Sequence, residues 1–269
     1  MDAGTRDELL DVAEEMADAA RAAILPHFRS DDLGVENKAQ SGFDPVTVAD
    51  RAAEKAMRDV LARRRPADGI MGEEFGAVEG DGDVTWALDP IDGTRGFVAG
   101  TPTWGVLIAA GTRDGPVLGI VDQPYIGERF VGAPGLARMR GPAGARELRS
   151  SRIEALKDAV LCTTYPEVGT PSEASAFRAV ADRTRLTRYG MDCYAYALLA
   201  AGHVDLVIEA GLSAYDIQAP MAVVEAAGGV VTDWSGGSAH RGGRAVAAAT
   251  RELHREALEV LAASGFATP

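Results

Sequence analysis

Cysteine is scarce, with only Cys162 and Cys193 in 269 residues. They form no CxxC pair and have no metal-binding spacing, so a structural zinc site built on thiolates alone is excluded. Both read as small buried residues of a reducing compartment. Histidine is nearly as sparse: His27, His203, His240 and His254 are scattered, and each reads as surface or structural. No run approaches the roughly 20 apolar residues of a membrane span, and mean hydropathy is −0.04. The N-terminal segment is acidic and lacks the basic-then-apolar layout of a signal peptide, so a cytoplasmic location is expected. Positive charge is also short, with 27 basic residues against 40 acidic ones and a net charge of −13. That balance disfavours nucleic acid and anionic membranes, and neither is expected as a partner.

Hydrophobic residues at 46% and charged residues at 25% suit a globular chain with a sizeable core. There are no repeats and no low-complexity tracts. Leu9, Val12, Ala13, Met16, Ala20, Ala23 and Ile24 share one face of a helix expected over residues 5–28 and ended by Pro26. A polar stretch, Ser30–Asp44, precedes a second helix at about Val48–Arg64. Strands follow at Val84–Leu88, Thr103–Ala110, Val117–Asp122 and Arg129–Val131. The segment Gly132–Glu147, rich in Gly, Ala, Pro and Arg, reads as a boundary or an exposed hairpin. Beyond it strands at Ala159–Thr163, Val204–Glu209, Gly229–Thr232 and Ala245–Ala249 alternate with helices. Those helices are expected at Ser172–Arg183, Asp192–Ala201, Asp216–Ala227 and Arg251–Ala263. The expected division is an α+β lobe over 1–142 and an α/β lobe over 143–269.

The informative stretch is Asp89-Pro90-Ile91-Asp92-Gly93-Thr94 at the end of an apolar strand. Pro90 fixes φ and lacks an N–H, so the chain leaves the sheet sharply. Two carboxylates on one tight turn repel unless cations lie between them. Magnesium, a hard ion, takes carboxylate and carbonyl oxygens, and the Ile91 carbonyl lies between the two aspartates. Gly93 and Thr94 offer backbone N–H groups to a phosphate oxygen. Taken alone, an Asp-Gly turn is a solvated turn, Glu73-Glu74 is a solvated face, Asp216 is a helix cap and Asp50 is a surface residue.

Together these segments carry more. Gly72-Glu73-Glu74, then Asp89-Pro90-Ile91-Asp92-Gly93-Thr94, then Tyr215-Asp216-Ile217 with Ala226-Ala227-Gly228-Gly229, resemble the inositol monophosphatase family. The resemblance runs from about Leu9 to Leu261. It implies a layered αβαβα sandwich of the inositol monophosphatase and fructose bisphosphatase type, a homodimer, and magnesium-dependent hydrolysis of a small phosphomonoester. It implies two or three Mg2+ ions held by Glu73, Asp89, the Ile91 carbonyl, Asp92 and Asp216. It also assigns Asp50 and Thr94 to orient and deprotonate the attacking water. Phosphoryl transfer runs on positioning and charge neutralisation, so no protein nucleophile is needed.

Within that family Gly190-Met191-Asp192-Cys193-Tyr194, Pro102-Thr103-Trp104-Gly105, Asp122-Gln123-Pro124 and Tyr215-Asp216-Ile217-Gln218 resemble the histidinol-phosphate phosphatases. Asp192 stands where a small neutral residue is usual, and a carboxylate there suits a cationic substrate. Asp192 and Glu209 are the candidates for holding the amino group and imidazole of L-histidinol phosphate, the alternatives being a helix cap and a solvated strand end. Rival expectations are an inositol-1-phosphate or broad small-molecule phosphatase, and a non-catalytic metal-binding homologue. Pro220 departs from the aliphatic residue expected in the helix from Asp216, though a first-turn proline is tolerated.

Overall fold

Side-chain alternation along the strands decides the layers, because neighbours in a strand face opposite sides of a sheet. The computed structural model of the chain describes residues 3–31, 33–37 and 45–265. The far end of the polar stretch Ser30–Asp44 lies outside these residues. Helix α1 spans Ala3–Ile24, and a two-stranded ribbon, β1 (Glu36–Asn37) with β2 (Pro45–Val46), leads into α2 (Val48–Arg64). α1 ends before Leu25 because a residue preceding proline avoids the helical region.

The first sheet contains β3 (Gly69–Gly72), β4 (Gly76–Val78), β5 (Thr85–Asp92), β6 (Gly105–Thr112), β7 (Gly115–Gln123), β8 (Glu128–Ala133), β9 (Leu136–Gly141) and β10 (Gly144–Glu147). Its order is β10-β9-β8-β7-β6-β5-β3-β4, with the short helix α3 (Thr94–Val98) leaving the end of β5. Trp86 and Leu88 of β5, with Val106 and Ile108 of β6, pack on Met16, Ile24 and Met57 of α1 and α2. Ala87, Leu107 and Ala109 face the other way, toward the second half of the chain.

The second sheet has the order β12-β11-β13-β15-β14. Its strands are β11 (Val160–Thr163), β12 (Leu186–Tyr189), β13 (Leu206–Leu212), β14 (Val230–Thr232) and β15 (Gly243–Ala248). Helices α5 (Cys193–Ala200) and α6 (Ala214–Ala226) lie between the two sheets and share a core with both. Helices α4 (Pro171–Ala181) and α7 (Arg251–Ala263) cover the far face, where Phe177, Leu253 and Leu261 meet Leu161, Leu206 and Ile208. The result is the five-layer αβαβα sandwich expected.

α6 lies so close to the first sheet that a Cβ on Gly119 or Gly132 would collide with the carbonyl oxygens of Ala219 and Ala222. α1 is tied to the same sheet by a buried guanidinium. Arg129 donates to Asp122 at 2.6 Å, to Asp18 at 2.7 Å and to Glu14, and Arg21 reaches Asp122 at 2.8 Å.

Several expectations need adjusting. Gly132–Glu147 contains the end of β8 and the largely exposed β9–β10 hairpin, whose last strand pairs within the first sheet. α6 begins at Ala214 rather than Asp216, which puts Pro220 beyond the first turn. The missing N–H there removes the usual helical partner of the Asp216 carbonyl. Strands β3, β4 and β12 and helix α3 are too short for a periodic signal.

Candidate active site

β5 delivers two carboxylates because its ladder is broken between them. Asp89 pairs with Leu107 and Asp92 with Gly105, so one extra residue bulges out around Pro90-Ile91. The bulge turns the Ile91 N–H onto Asp89 Oδ1 at 3.0 Å and exposes the Ile91 carbonyl to the Thr94 hydroxyl, also at 3.0 Å. A carbonyl has two lone pairs, so the Ile91 oxygen keeps one for another partner.

Asp216 comes from the first turn of α6. Ser213 is the N-cap, and its N–H donates to Asp216 Oδ2 at 2.7 Å in a capping box. Asp216 is therefore a capping residue that also faces β5: ligand oxygens of Asp89, Asp92 and Asp216 all lie within 4.8 Å of one another. Removal from water and mutual repulsion push the carboxyls of Asp89 and Asp92 well above the usual range. Asp216 is pushed up to about 7, first by burial and also by Glu73. Arg95 also lines the cavity, where it acts on Asp192; three crowded carboxylates call for further positive charge, and an all-oxygen donor set fits a hard divalent cation.

Glu73 follows β3, and its backbone N–H donates to the Leu88 carbonyl at 3.2 Å, which brings its carboxyl beside Asp89. The next turn is held from α2. Buried Glu54 accepts from the N–H groups of Glu74 at 2.6 Å and Phe75 at 3.2 Å, and Arg58 neutralises it at 2.8 Å. Sequence reasoning missed Glu54; its position one helical turn after Asp50 was the available signal.

Asp50 is buried rather than on the surface. Its Oδ2 accepts from the Thr47 N–H at 2.8 Å and the Thr47 hydroxyl at 2.6 Å. Its Oδ1 is buried with no hydrogen-bond partner among the described residues. Burial pushes this carboxyl up to about 7. The hydrogen bonds of Asp50 go to Thr47 and that of Thr94 to Ile91, so the two residues are each held by a different neighbour.

The site opens into a cavity of about 290 Å³ whose walls include Glu73, Asp89, Asp92, Gly93, Thr94, Asp192, Glu209 and Asp216. No histidine lines it, and the two cysteines are free and buried. Gly93 has φ +88°, and a Cβ there would sit 2.9 Å from Asp192 Cγ. Asp192 occupies the N-cap position of α5 yet its side chain makes no cap bond. Asp92 does the capping, accepting from the Cys193 N–H at 2.6 Å. Asp192 itself has φ +46°, a strained value outside glycine. Its carboxyl is raised to about 6, first by burial, against the pull of Arg95. Glu209 is buried within β13, not a solvated strand end. Among the described residues it accepts from neutral donors: Thr163 Oγ1 at 3.2 Å, and the Thr164 N–H and hydroxyl at 2.7 and 2.9 Å. Burial pushes it up to about 7. Thr164 and Tyr165, also in the wall, follow the strand expected at Ala159–Thr163 and carried no motif of their own.

The family model described as the inositol monophosphatase family matches residues 5–265. The chain belongs to that family. It is therefore a phosphatase of the inositol monophosphatase type, a group that acts on small phosphomonoesters. It is 38% identical over 261 residues to the histidinol-phosphatase of Streptomyces coelicolor, covering 94% of this chain and 96% of that one. It is also 38% identical over 266 residues to the bifunctional phosphatase IMPL2, chloroplastic, of Arabidopsis thaliana, covering 95% of this chain and 75% of that one. An inositol monophosphatase from Zymomonas mobilis superposes with a TM-score of 0.84 at 38% identity, over 97% of this chain and all of the other. In this family member no helix among the described residues is long and apolar enough to cross a membrane.

Proposed function

We propose that the protein is a magnesium-dependent phosphatase that hydrolyses L-histidinol phosphate to L-histidinol and phosphate. The observation that carries this reading is the pair of further carboxylates in the cavity wall. Asp192 and Glu209 line the cavity together with Asp89, Asp92 and Asp216, and among the described residues Glu209 accepts from neutral donors. A buried carboxylate of that kind favours a cationic alcohol over a neutral polyol. The similarity to a Streptomyces histidinol-phosphatase points the same way.

In this reading Glu73, Asp89, the Ile91 carbonyl, Asp92 and Asp216 hold the magnesium. When bound, the metal supplies positive charge against the phosphoryl oxygens and the leaving oxygen. The N–H groups of Gly93 and Thr94 orient the phosphate. Asp50, with its spare buried oxygen, and Thr94, with its hydroxyl anchored on Ile91, position a water and take its proton. The water oxygen bonds to phosphorus as the phosphorus–ester oxygen bond breaks, and the leaving alkoxide takes up a proton. Asp192 and Glu209 hold the cationic part of the alcohol.

A second reading, an inositol-1-phosphate phosphatase, is favoured by the likeness to the Zymomonas enzyme. The two are separated by Asp192→Ala combined with Glu209→Gln. If the proposal holds, kcat/KM on histidinol phosphate falls by about 100-fold and that on inositol 1-phosphate changes little. A double variant that keeps its preference for histidinol phosphate overturns the role given to the acidic wall.

A further inference from the structure

Adjoining the main cavity lies a small chamber of about 20 Å³, lined in part by Tyr196. The chamber shares Asp92, Thr164, Asp192, Glu209 and Asp216 with the main cavity, so it is the blind end of the same site. Tyr196 belongs only to the blind end. It is 3% exposed, and its hydroxyl is buried with no hydrogen-bond partner among the described residues. A buried phenol without a partner is costly, and buried tyrosine hydroxyls usually find one.

The size and lining of the chamber restrict its occupant. A volume near 20 Å³ admits one water-sized group. A primary ammonium is a group of that size, whereas an imidazole has five heavy atoms. Four carboxylates border the space, and only two of them, Asp92 and Asp216, are claimed by the metal cluster. Asp192 and Glu209 remain for a cation, and the Tyr196 hydroxyl can accept from that cation while donating to a carboxylate.

We propose that the blind chamber is the seat of the substrate's ammonium group and that Tyr196 is a specificity-determining residue for phosphomonoesters bearing a primary amine. This inference rests on the histidinol phosphate reading and divides the substrate between two spaces. The amine is attached to the carbon next to the ester-bearing carbon, so it must stay near the metal cluster, as the chamber does. The imidazole extends into the wider cavity of about 290 Å³, toward Tyr165. The substrate class is then the 2-aminoalkyl phosphates rather than imidazole phosphates in general.

The test compares L-histidinol phosphate with its analogue lacking the amine, 3-(imidazol-4-yl)propyl phosphate, and with inositol 1-phosphate. In the wild type with Mg2+, loss of the amine lowers kcat/KM at least about tenfold. Tyr196→Phe, which removes one oxygen from a buried ring, raises KM for histidinol phosphate about tenfold and leaves kcat/KM for the analogue unchanged. A wild type indifferent to the amine overturns the inference without recourse to any variant. So does a Tyr196→Phe enzyme that loses activity equally on both imidazole substrates or on neither, the results expected of a chamber that holds a structural water. A wild type that prefers inositol 1-phosphate overturns the underlying functional reading instead.

Discussion

At the residue scale the site is built from carboxylates with two jobs each. Asp216 completes a capping box and joins the three-carboxylate cluster, and Asp92 joins that cluster while accepting from the first N–H of α5. Asp92→Asn should therefore reduce kcat by more than about 100-fold and weaken Mg2+ dependence, as read by phosphate release across a magnesium titration. Asp50→Asn should cost a similar factor while leaving the magnesium midpoint nearly unchanged, since Asp50 lies outside the three-carboxylate cluster. Most of these residues were legible as types and spacings: Asp89 and Asp92 from the Pro-turned strand end, Glu73 and Asp216 from the family resemblance. Glu54 and Tyr196 were not. A glutamate and a tyrosine inside helices look like any surface or core residue until a distant segment closes over them.

At the element scale the decisive feature is how firmly α1 and the middle layer are pinned to the first sheet. The long helices and the strands β5–β8 were readable because amphipathic period and alternation survive over many residues. The short pieces β3, β4, β12 and α3 were not readable, since their conformation is imposed by neighbours. β3, for example, is set by pairing with β5 and β4, and the turn after it by Glu54. The Arg129 network shows what local reading misses, as the guanidinium joins partners on α1 and β7 that lie far apart in the chain. Arg129→Ala should destabilise the fold by about 3–5 kcal/mol, because Asp122 would be left buried with weaker compensation. Urea unfolding measures this; a change below 1 kcal/mol would mean that the network is no stronger than surface pairs.

At the scale of the whole molecule the two sheets meet through α5 and α6, and the functional carboxylates gather where those layers join. That arrangement links folding to pH and to metal. Asp50, Asp216 and Glu209 all have carboxyl pKa values raised to about 7, chiefly by burial. A carboxyl whose folded-state pKa is raised binds its proton more tightly when folded, so its contribution is fully present below the unfolded value near 4. It is lost as pH rises through about 7. Without divalent metal, the melting temperature should therefore fall between about pH 4 and pH 7. Magnesium should raise it more at the upper end, where the ligands are ionised. Calorimetry with and without chelator reads both effects, and a melting temperature equally insensitive to magnesium at both pH values would contradict the metal assignment.

The central claim is that a metal cluster and an acidic wall share one cavity and together select a cationic phosphomonoester. The most direct measurement is phosphate release by the wild type from L-histidinol phosphate and from myo-inositol 1-phosphate in parallel, with Mg2+ and with chelator. The account predicts turnover only with Mg2+ and a kcat/KM at least about tenfold higher on histidinol phosphate. Equal rates on the two substrates, or a preference for inositol 1-phosphate, would contradict it.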